Sequence, residues 1–344
     1  MKLNHYSHEL PFLYPFTISK GTKTHQPTLV VELAWRGLKG YGEAPAINYY
    51  EITVESMIKD LEAKRTVLEK FALTDPERYW HFLHHLFPRN PFLVCALDMA
   101  GWDLWGKMVG KPLYQLWQLD PSKAPLTDYT IGIDSTERMI AKIEENPWPV
   151  YKVKVGFDGD MEMLAELRRH TQVPLRVDVN AGWSLEQALE KIPVMESLGV
   201  ELVEQPLAKD NWEGMAKLFQ VSPIPLFADE SCVAEQDVEK CKGHFHGINI
   251  KLTKCSGITP ARRMIKQARS LGMQVMLGCM NESSIGTSAM IHLSPLLDYL
   301  DADGPMLLKT DLASGLQYDN GRVSFTHPAP GLSIAVSENL YVTD

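Results

Sequence analysis

No apolar run in this chain of 344 residues approaches the roughly 20 residues that a membrane-spanning helix needs. The opening stretch, Met1 to Phe12, mixes His, Asn, Ser and Glu where a secretion signal would carry an uninterrupted apolar segment. Basic charge is not in excess either. The formal net charge is −9, which removes the electrostatic footprint that nucleic acid requires. Cysteine is scarce: Cys95, Cys232, Cys241, Cys255 and Cys279 are odd in number and show no CxxC spacing. They predict reduced thiols in a cytoplasmic protein, not a disulfide framework. The histidines supply no zinc pattern, since His81, His84 and His85 sit at helical spacing and His244 and His246 flank a turn. Low-complexity segments and linkers are missing. What is left is an ordinary globular composition, 45% hydrophobic and 22% charged, able to bury a large core. It carries no expectation of a nucleic-acid or membrane partner.

The chain changes character near residue 125. Before that point Thr28 to Trp35 is rich in β-formers, and with the residues from Lys2 onward it predicts a small antiparallel sheet. Gly37 to Gly42 reads as a turn leading into Tyr41-Gly42-Glu43. Helices are predicted over about 51–71, 75–86 and 91–109, the last apolar enough to be buried and stopped by Gly110 and Pro112. From about 126 strands and amphipathic helices alternate. The predicted strands are Asp128–Ile133, Tyr151–Val155, Leu175–Val179, Glu201–Glu204, Ile224–Ala228, Gly247–Lys251, Gln274–Gly278 and Asp298–Asp301. Their centres lie about 24 residues apart, which predicts a (β/α)8 barrel of the TIM type over 126–310. The tail, 311–344, returns to turn-rich β-like sequence. It is expected to rejoin residues 1–125 and complete an α+β capping domain.

Five polar segments each end or directly follow a predicted strand: Lys152-Val153-Lys154, Asp178-Val179-Asn180, Glu204-Gln205-Pro206, Asp229-Glu230-Ser231 and Lys251-Leu252-Thr253. In a barrel the C-terminal strand ends form one face, so Asp178, Glu204 and Asp229 would converge there. A single carboxylate at such a place reads as a cap for the next helix. Three at matched ends of successive strands read as an oxygen site for Mg2+ or Mn2+. Lys152 and Lys154 alternate on one strand and point the same way. Facing inward they would form a cationic pair whose mutual repulsion and burial lower a lysine's pKa toward that of a useful base. Lys251 lies across the barrel, so a substrate held on the metal would meet a lysine on each face.

This order of lysine, three carboxylates and lysine resembles the enolase superfamily, specifically its muconate-cycloisomerase-like subgroup, over nearly the whole chain; lysine bases with Mg2+ there are a worked case of acid–base tuning. Tyr41-Gly42-Glu43 and the Leu97-Asp98 to Leu113-Tyr114 segment belong to the likeness. The resemblance implies that Asp178, Glu204 and Asp229 hold Mg2+ and that Lys154 and Lys251 are opposed bases. It implies that Lys152 holds the substrate carboxylate and lowers its neighbour's pKa, with Asn180 and Glu230 as outer supports. The reaction implied is removal of an α-proton beside a metal-held carboxylate, through an ene-diolate. Asp301-Ala302-Asp303-Gly304-Pro305 resembles the Asp-x-Asp element of dipeptide epimerases, which implies that Asp301 and Asp303 hold the α-ammonium of a dipeptide. The segments 277–282 and 307–311 resemble the same subfamily. The segment 16–23 resembles its mobile specificity loop, where L-Ala-D/L-Glu epimerases carry an arginine and this chain has Lys23. Tyr50, in Asn48-Tyr49-Tyr50, Asn281 and Glu282 are further candidates for contacting the substrate's side chain. The expectation is therefore a Mg2+-dependent dipeptide epimerase, in which a homo-oligomer is compatible. N-acylamino-acid racemases and o-succinylbenzoate synthases share the lysine pair and remain alternatives, and a non-catalytic binding protein is the rival from another class.

Overall fold

The architecture comes from a computed structural model that describes residues 1–18 and 21–342. It opens with an antiparallel sheet, β1 (Lys2–Ile18), β2 (Gly21–Trp35) and β3 (Leu38–Pro45), in that order. Gly37 to Gly42 is not a turn. Only Arg36 and Gly37 turn, with φ of 49° and 82°, and Trp35 pairs directly with Leu38. Two successive positive φ angles suit the tight hairpins that match strand twist. Gly40 and Gly42 lie within β3 for a different reason. A Cβ on either would come within 2.3 Å of Ala100 O or 2.0 Å of Ala96 O, so these glycines let a helix backbone press onto the strand.

That helix is α3 (Pro91–Val109), preceded by α1 (Val54–Lys70) and α2 (Pro76–Leu86). Each begins at a side chain that accepts from its first turn: Thr53 from Ser56 N, Asp75 from Glu77 N and Asn90 from Leu93 N. Gly110, at φ 69°, closes α3. α3 is buried on nearly every side because it packs against the sheet with one face and the barrel with the other.

All eight predicted barrel strands form: β4 (Tyr129–Ile131), β5 (Tyr151–Lys154), β6 (Leu175–Asp178), β7 (Val200–Glu204), β8 (Leu226–Ala228), β9 (Gly247–Ile250), β10 (Gln274–Gly278) and β11 (Tyr299–Asp301). They pair in parallel and in chain order. Bridging of Thr127 to Leu300 joins the first strand to the last. The floor of the barrel is filled. Leu202, Phe227 and Met276 pack with Tyr299, and Arg176 reaches Asp128 at 2.8 Å and Glu201 at 2.6 Å. The floor is thus packed with side chains, and a cavity opens at the C-terminal mouth. Among the described residues no helix is long and apolar enough to cross a membrane, and the five cysteines are unpaired and buried.

The tail touches both bodies. Its hairpin, β13 (Leu316–Asp319) and β14 (Arg322–Phe325), follows the short β12 (Ala313–Ser314). Gly321 O accepts from Thr127 N at 2.8 Å, and Tyr318 donates to Ala302 O at 2.8 Å, both on the barrel. Farther on, Leu332 N donates to Asp103 of α3, and Tyr341 hydroxyl meets that of Tyr41 at 2.8 Å.

Two buried carboxylates tie the N-terminal body to barrel helices. Glu43 of β3 accepts from Ser283 N, Ser283 Oγ and Gly286 N, at the start of the helix Ser284–Leu293. Asp98 of α3 accepts from Thr259 N at 3.0 Å and Thr259 Oγ1 at 2.7 Å, in the first turn of Ile258–Ser270. Both set a carboxyl acceptor against the unpaired N–H groups of a helix N-terminus. Burial lifts the Asp98 carboxyl to about 7 despite the bonds from Thr259, above the roughly 3.9 of an unfolded chain. The folded protein therefore binds a proton there that the unfolded chain releases, and this contribution to stability is lost as pH rises from about 4 to 7. Asp98→Asn cannot ionise. We expect it to gain stability relative to the parent between about pH 5 and pH 7 in urea unfolding. A difference between the two proteins that does not change with pH would contradict this.

Candidate active site

Six of the eight barrel strands end in a charged side chain or run directly into one: Lys154, Asp178, Glu204, Asp229, Lys251 and Asp301. Strand register sets Lys154 beside Asp178 and Asp178 beside Glu204. Beyond these ends the chain turns sharply through left-handed residues that are not glycine, Asn180 at φ 49°, Ala181 at 63° and Gln205 at 37°. Such angles persist only where surrounding bonds over-determine them. Asn180 N donates to Asp178 Oδ1 at 2.9 Å and Ala181 N to Gln205 O at 2.8 Å.

Ammonium groups contact carboxylates across the mouth, and all are buried. Lys152 Nζ lies 2.7 Å from Glu204 Oε2, 2.8 Å from Asp301 Oδ2 and 3.3 Å from Asp178 Oδ2. Lys154 Nζ lies 2.5 Å from Asp178 Oδ2, and Lys251 Nζ lies 3.0 Å from Asp229 Oδ2. Burial opposes ionisation of Asp178, yet Lys154 and Lys152 hold its carboxyl below the ordinary range. Asp229 is held well below it against the same burial by Lys251 and Lys254. Glu204 goes the other way, pushed up to about 7 by burial and by Asp178. Lys152 corrects the expectation that the Lys152–Lys154 pair is depressed, and Lys251 behaves as Lys152 does. Burial favours their neutral form, but the carboxylates outweigh it and hold both well above the usual lysine value.

Above this layer opens a cavity of about 280 Å3. Lys152, Lys154, Lys251, Asp229, Asp301 and Asp303 form its floor and sides. Asn180 and Glu230, expected behind the ligands, line the cavity itself. Lys23 is also on its wall, but not on a loose loop: Phe16 pairs with Lys23 and Ile18 with Gly21 in the β1–β2 ladder. Ser19 and Lys20 of the expected loop lie outside the described residues. Burial lowers the Lys23 pKa, and its ammonium reaches Gln26 Oε1 at 3.4 Å. Tyr50, in the 3-10 turn Asn48–Tyr50, packs edge-on to Tyr49 and against Phe92 of α3. Asn281 lines the cavity at φ 66°. Glu282 does not. It is buried away from the cavity and accepts from Met280 N at 2.6 Å, so it braces the β10 loop and does not face a substrate.

Asp303 Oδ2 accepts from Thr130 N at 2.6 Å, and burial together with Asp301 lifts its carboxyl to about 7. Asp301 is held below the ordinary value by Lys152, against burial. The Cys279 thiol lies 3.6 Å from Asp303 and 3.9 Å from Asp301.

Four further residues shape the site. Asn249 donates to Glu204 Oε1 at 2.7 Å. It stands two places before Lys251, and strand alternation puts both side chains on the inner face. Gln205 Oε1 accepts from Asp229 N and Ser231 N, while its Nε2 donates to Leu207 O and Ser231 Oγ. Lys254 donates to Asp229 Oδ1 and to Asp229 O at 2.6 Å. Cys279 is the fourth. Nothing in strand periodicity marks Gln205, Lys254 or Cys279, because each depends on the turn after its strand.

The donor set discriminates between metals. Cys279, Asp301 and Asp303 bring three possible ligand atoms within 4.8 Å of one another. Burial and the two carboxylates hold that thiol well above its usual pKa, in its protonated form, and thiol ligands suit softer ions. Asp178, Glu204 and Asp229 offer oxygen alone from three successive strands. Oxygen donors are the chemistry that a hard divalent cation such as Mg2+ takes; here these three carboxylates are not drawn together as closely as the Cys279 group, and their present counter-charges are lysine ammoniums.

Comparison with known proteins agrees with this geometry. Residues 135–340 match the family described as enolase C-terminal domain-like. Residues 4–117 match the mandelate racemase / muconate lactonizing enzyme N-terminal domain. An L-Ala-D/L-amino acid epimerase of a Maribacter species is 48% identical, covering 94% of this chain and 96% of its own. One of the same name from Flavobacterium johnsoniae is 45% identical, covering 95% and 97%. A dipeptide epimerase from Cytophaga hutchinsonii, solved with Mg and the dipeptide D-Ala-L-Val, superposes with a TM-score of 0.92 at 27% identity, covering 98% and 96%.

Proposed function

Since the chain belongs to the mandelate racemase and muconate lactonizing enzyme family of the enolase superfamily, we propose that it is a Mg2+-dependent dipeptide epimerase that inverts the α-carbon of the C-terminal residue. The observation that carries this reading is the disposition of the bases. Lys154 stands at Asp178 and Lys251 at Asp229, on either side of one carboxylate set, and both open on the same cavity.

In this reading Asp178, Glu204 and Asp229 would hold Mg2+, which when bound would supply positive charge beside the substrate carboxylate. With those oxygens so engaged, Lys154 and Lys251 would be released from Asp178 and Asp229, while Lys152 would keep Asp301. Lys152 turns to the substrate carboxylate. One of Lys154 and Lys251, as a free amine, takes the α-proton from one face, while the other, as an ammonium, returns a proton to the opposite face. The bond order is restored and the centre is inverted. Asp301 and Asp303 hold the dipeptide's α-ammonium, which needs carboxylate partners once desolvated. Lys23 meets an acidic side chain on the inverted residue, with Tyr50 and Asn281 beside it. We place the enzyme in the cytoplasm, acting on a small molecule without a nucleic-acid or membrane partner; reduced, buried thiols support that compartment.

Deuterium uptake from heavy water by Ala-Glu, followed by mass and by stereochemistry, tests the reaction. Lys251→Ala should block inversion and leave exchange from the stereoisomer served by Lys154, and Lys154→Ala should show the mirror pattern. Loss of one general base typically costs a factor of about 10²–10⁴, so either variant epimerising at the parent rate would refute the two-base scheme. N-acetylation of the dipeptide should sharply lower kcat/KM. A preference for the acetylated compound would instead identify an N-acylamino-acid racemase. Lys23→Met should penalise Ala-Glu far more than Ala-Leu, because a charge-assisted contact is worth roughly 1.5–3 kcal/mol. An unchanged ratio of kcat/KM for the two dipeptides would remove Lys23 from specificity.

A further inference from the structure

We infer that Lys254 is a positioning residue, a fixed internal cation that presents one oxygen of Asp229 to the metal while leaving Lys251 free to act as a base. This rests on the reading of Asp229 as a metal ligand.

The two oxygens of Asp229 have different neighbours. Oδ2 faces Lys251 at 3.0 Å, and Lys251 lines the cavity. Oδ1 is held by Lys254, which is not on the cavity wall and is 3% exposed. The Lys254 ammonium has three further acceptors, all backbone carbonyls: Asp229 O at 2.6 Å, Cys232 O at 3.1 Å and Asn249 O at 3.2 Å. Every N–H therefore has a partner inside the protein. Those partners come from the turn after β8 and from the end of β9, so one ammonium gathers two neighbouring strand ends. Its stem is short of freedom as well, since Lys254 sits in the one-turn helix Leu252–Cys255 that starts immediately after Lys251.

This geometry excludes Lys254 from proton transfer, because nothing in the cavity reaches it. It also explains how one carboxylate serves two cations without coupling them rigidly. Were Oδ1 free, Asp229 would be able to take the Lys251 ammonium on both oxygens, and the base would compete with the metal for the whole carboxylate. With Oδ1 occupied and the Asp229 carbonyl held by the same ammonium, the side chain keeps one rotamer when Lys251 leaves. Lys254 thus acts on the ligand, much as an imidazole's outer hydrogen bond orients a metal-bound histidine.

The test is a double-mutant cycle read by Mg2+ affinity, measured by calorimetry on the full chain without substrate. Lys254→Met keeps the volume and removes the ammonium. Loss of such an outer partner typically weakens metal binding about 10–100-fold, and we expect a fall in that range. Asp229→Asn should weaken binding too. Because Lys254 acts through Asp229, the pair Lys254→Met/Asp229→Asn should bind Mg2+ no more weakly than Asp229→Asn alone. If Lys254→Met fails to fold, Lys254→Gln replaces it, retaining donors for the carbonyls without the charge. Unchanged or tighter Mg2+ binding in the lysine variant, with only a lower melting temperature, overturns the inference, as does an additive double mutant. A parent protein that binds no Mg2+ would overturn the metal reading itself, a result distinct from either.

Discussion

Charge compensation inside a low-dielectric mouth is the condition on which the rest of this structure depends. Asp178, Glu204 and Asp301 are buried around one ammonium, that of Lys152, and Asp229 is buried beside Lys251. Left alone, each would lose several kcal/mol to desolvation or take up a proton. The lysines prevent that, and they stand where they do because strand ends in register carry them there. Lys152 has the largest share, touching three carboxylates from three different strands. The barrel floor matters for the same reason. Leu202, Phe227, Met276 and Tyr299 pack there, beneath the charged layer that lines the cavity.

The N-terminal body is fixed to this mouth by a related device. Glu43 and Asp98 each spend a buried carboxylate on the exposed N–H groups at the start of a barrel helix. Ser283, one of the partners of Glu43, directly follows the Cys279–Glu282 loop that borders the cavity. β3, which carries Glu43, continues into Ile47–Tyr50, which also line it. One acidic residue therefore ties together two cavity-lining segments that belong to different parts of the chain.

Much of this was legible in the residues, for identifiable reasons. The eight strands follow from short apolar runs at even spacing, and the barrel puts their ends together. Lys152 and Lys154 point inward because strand alternation leaves no other choice once Val153 faces the helices. What escaped was whatever depends on the backbone after a strand ends. Asn281 adopts a left-handed conformation, so Glu282 does not continue its wall and turns inward, although the two are adjacent in sequence. Gly40 and Gly42 looked like turn residues, yet they are strand residues under a helix, a distinction that only a close neighbour reveals. Lys254 stands three residues after Lys251 on a single helical turn, a spacing that carries no meaning until the chain is seen to double back over Asp229.

Of the groups proposed to face a substrate's side chain, Lys23 and Tyr50 have a different origin from the groups proposed to handle protons. Lys154, Lys251 and the carboxylates are rooted in the barrel, whereas Lys23 and Tyr50 come from the N-terminal sheet and the turn after it. A substitution in β2 or in Asn48–Tyr50 leaves every strand-end bond intact. Descendants of such a protein can therefore wander among substrates by small steps while selection keeps the reaction constant. Divergence of diet without divergence of chemistry is the course this architecture makes easiest.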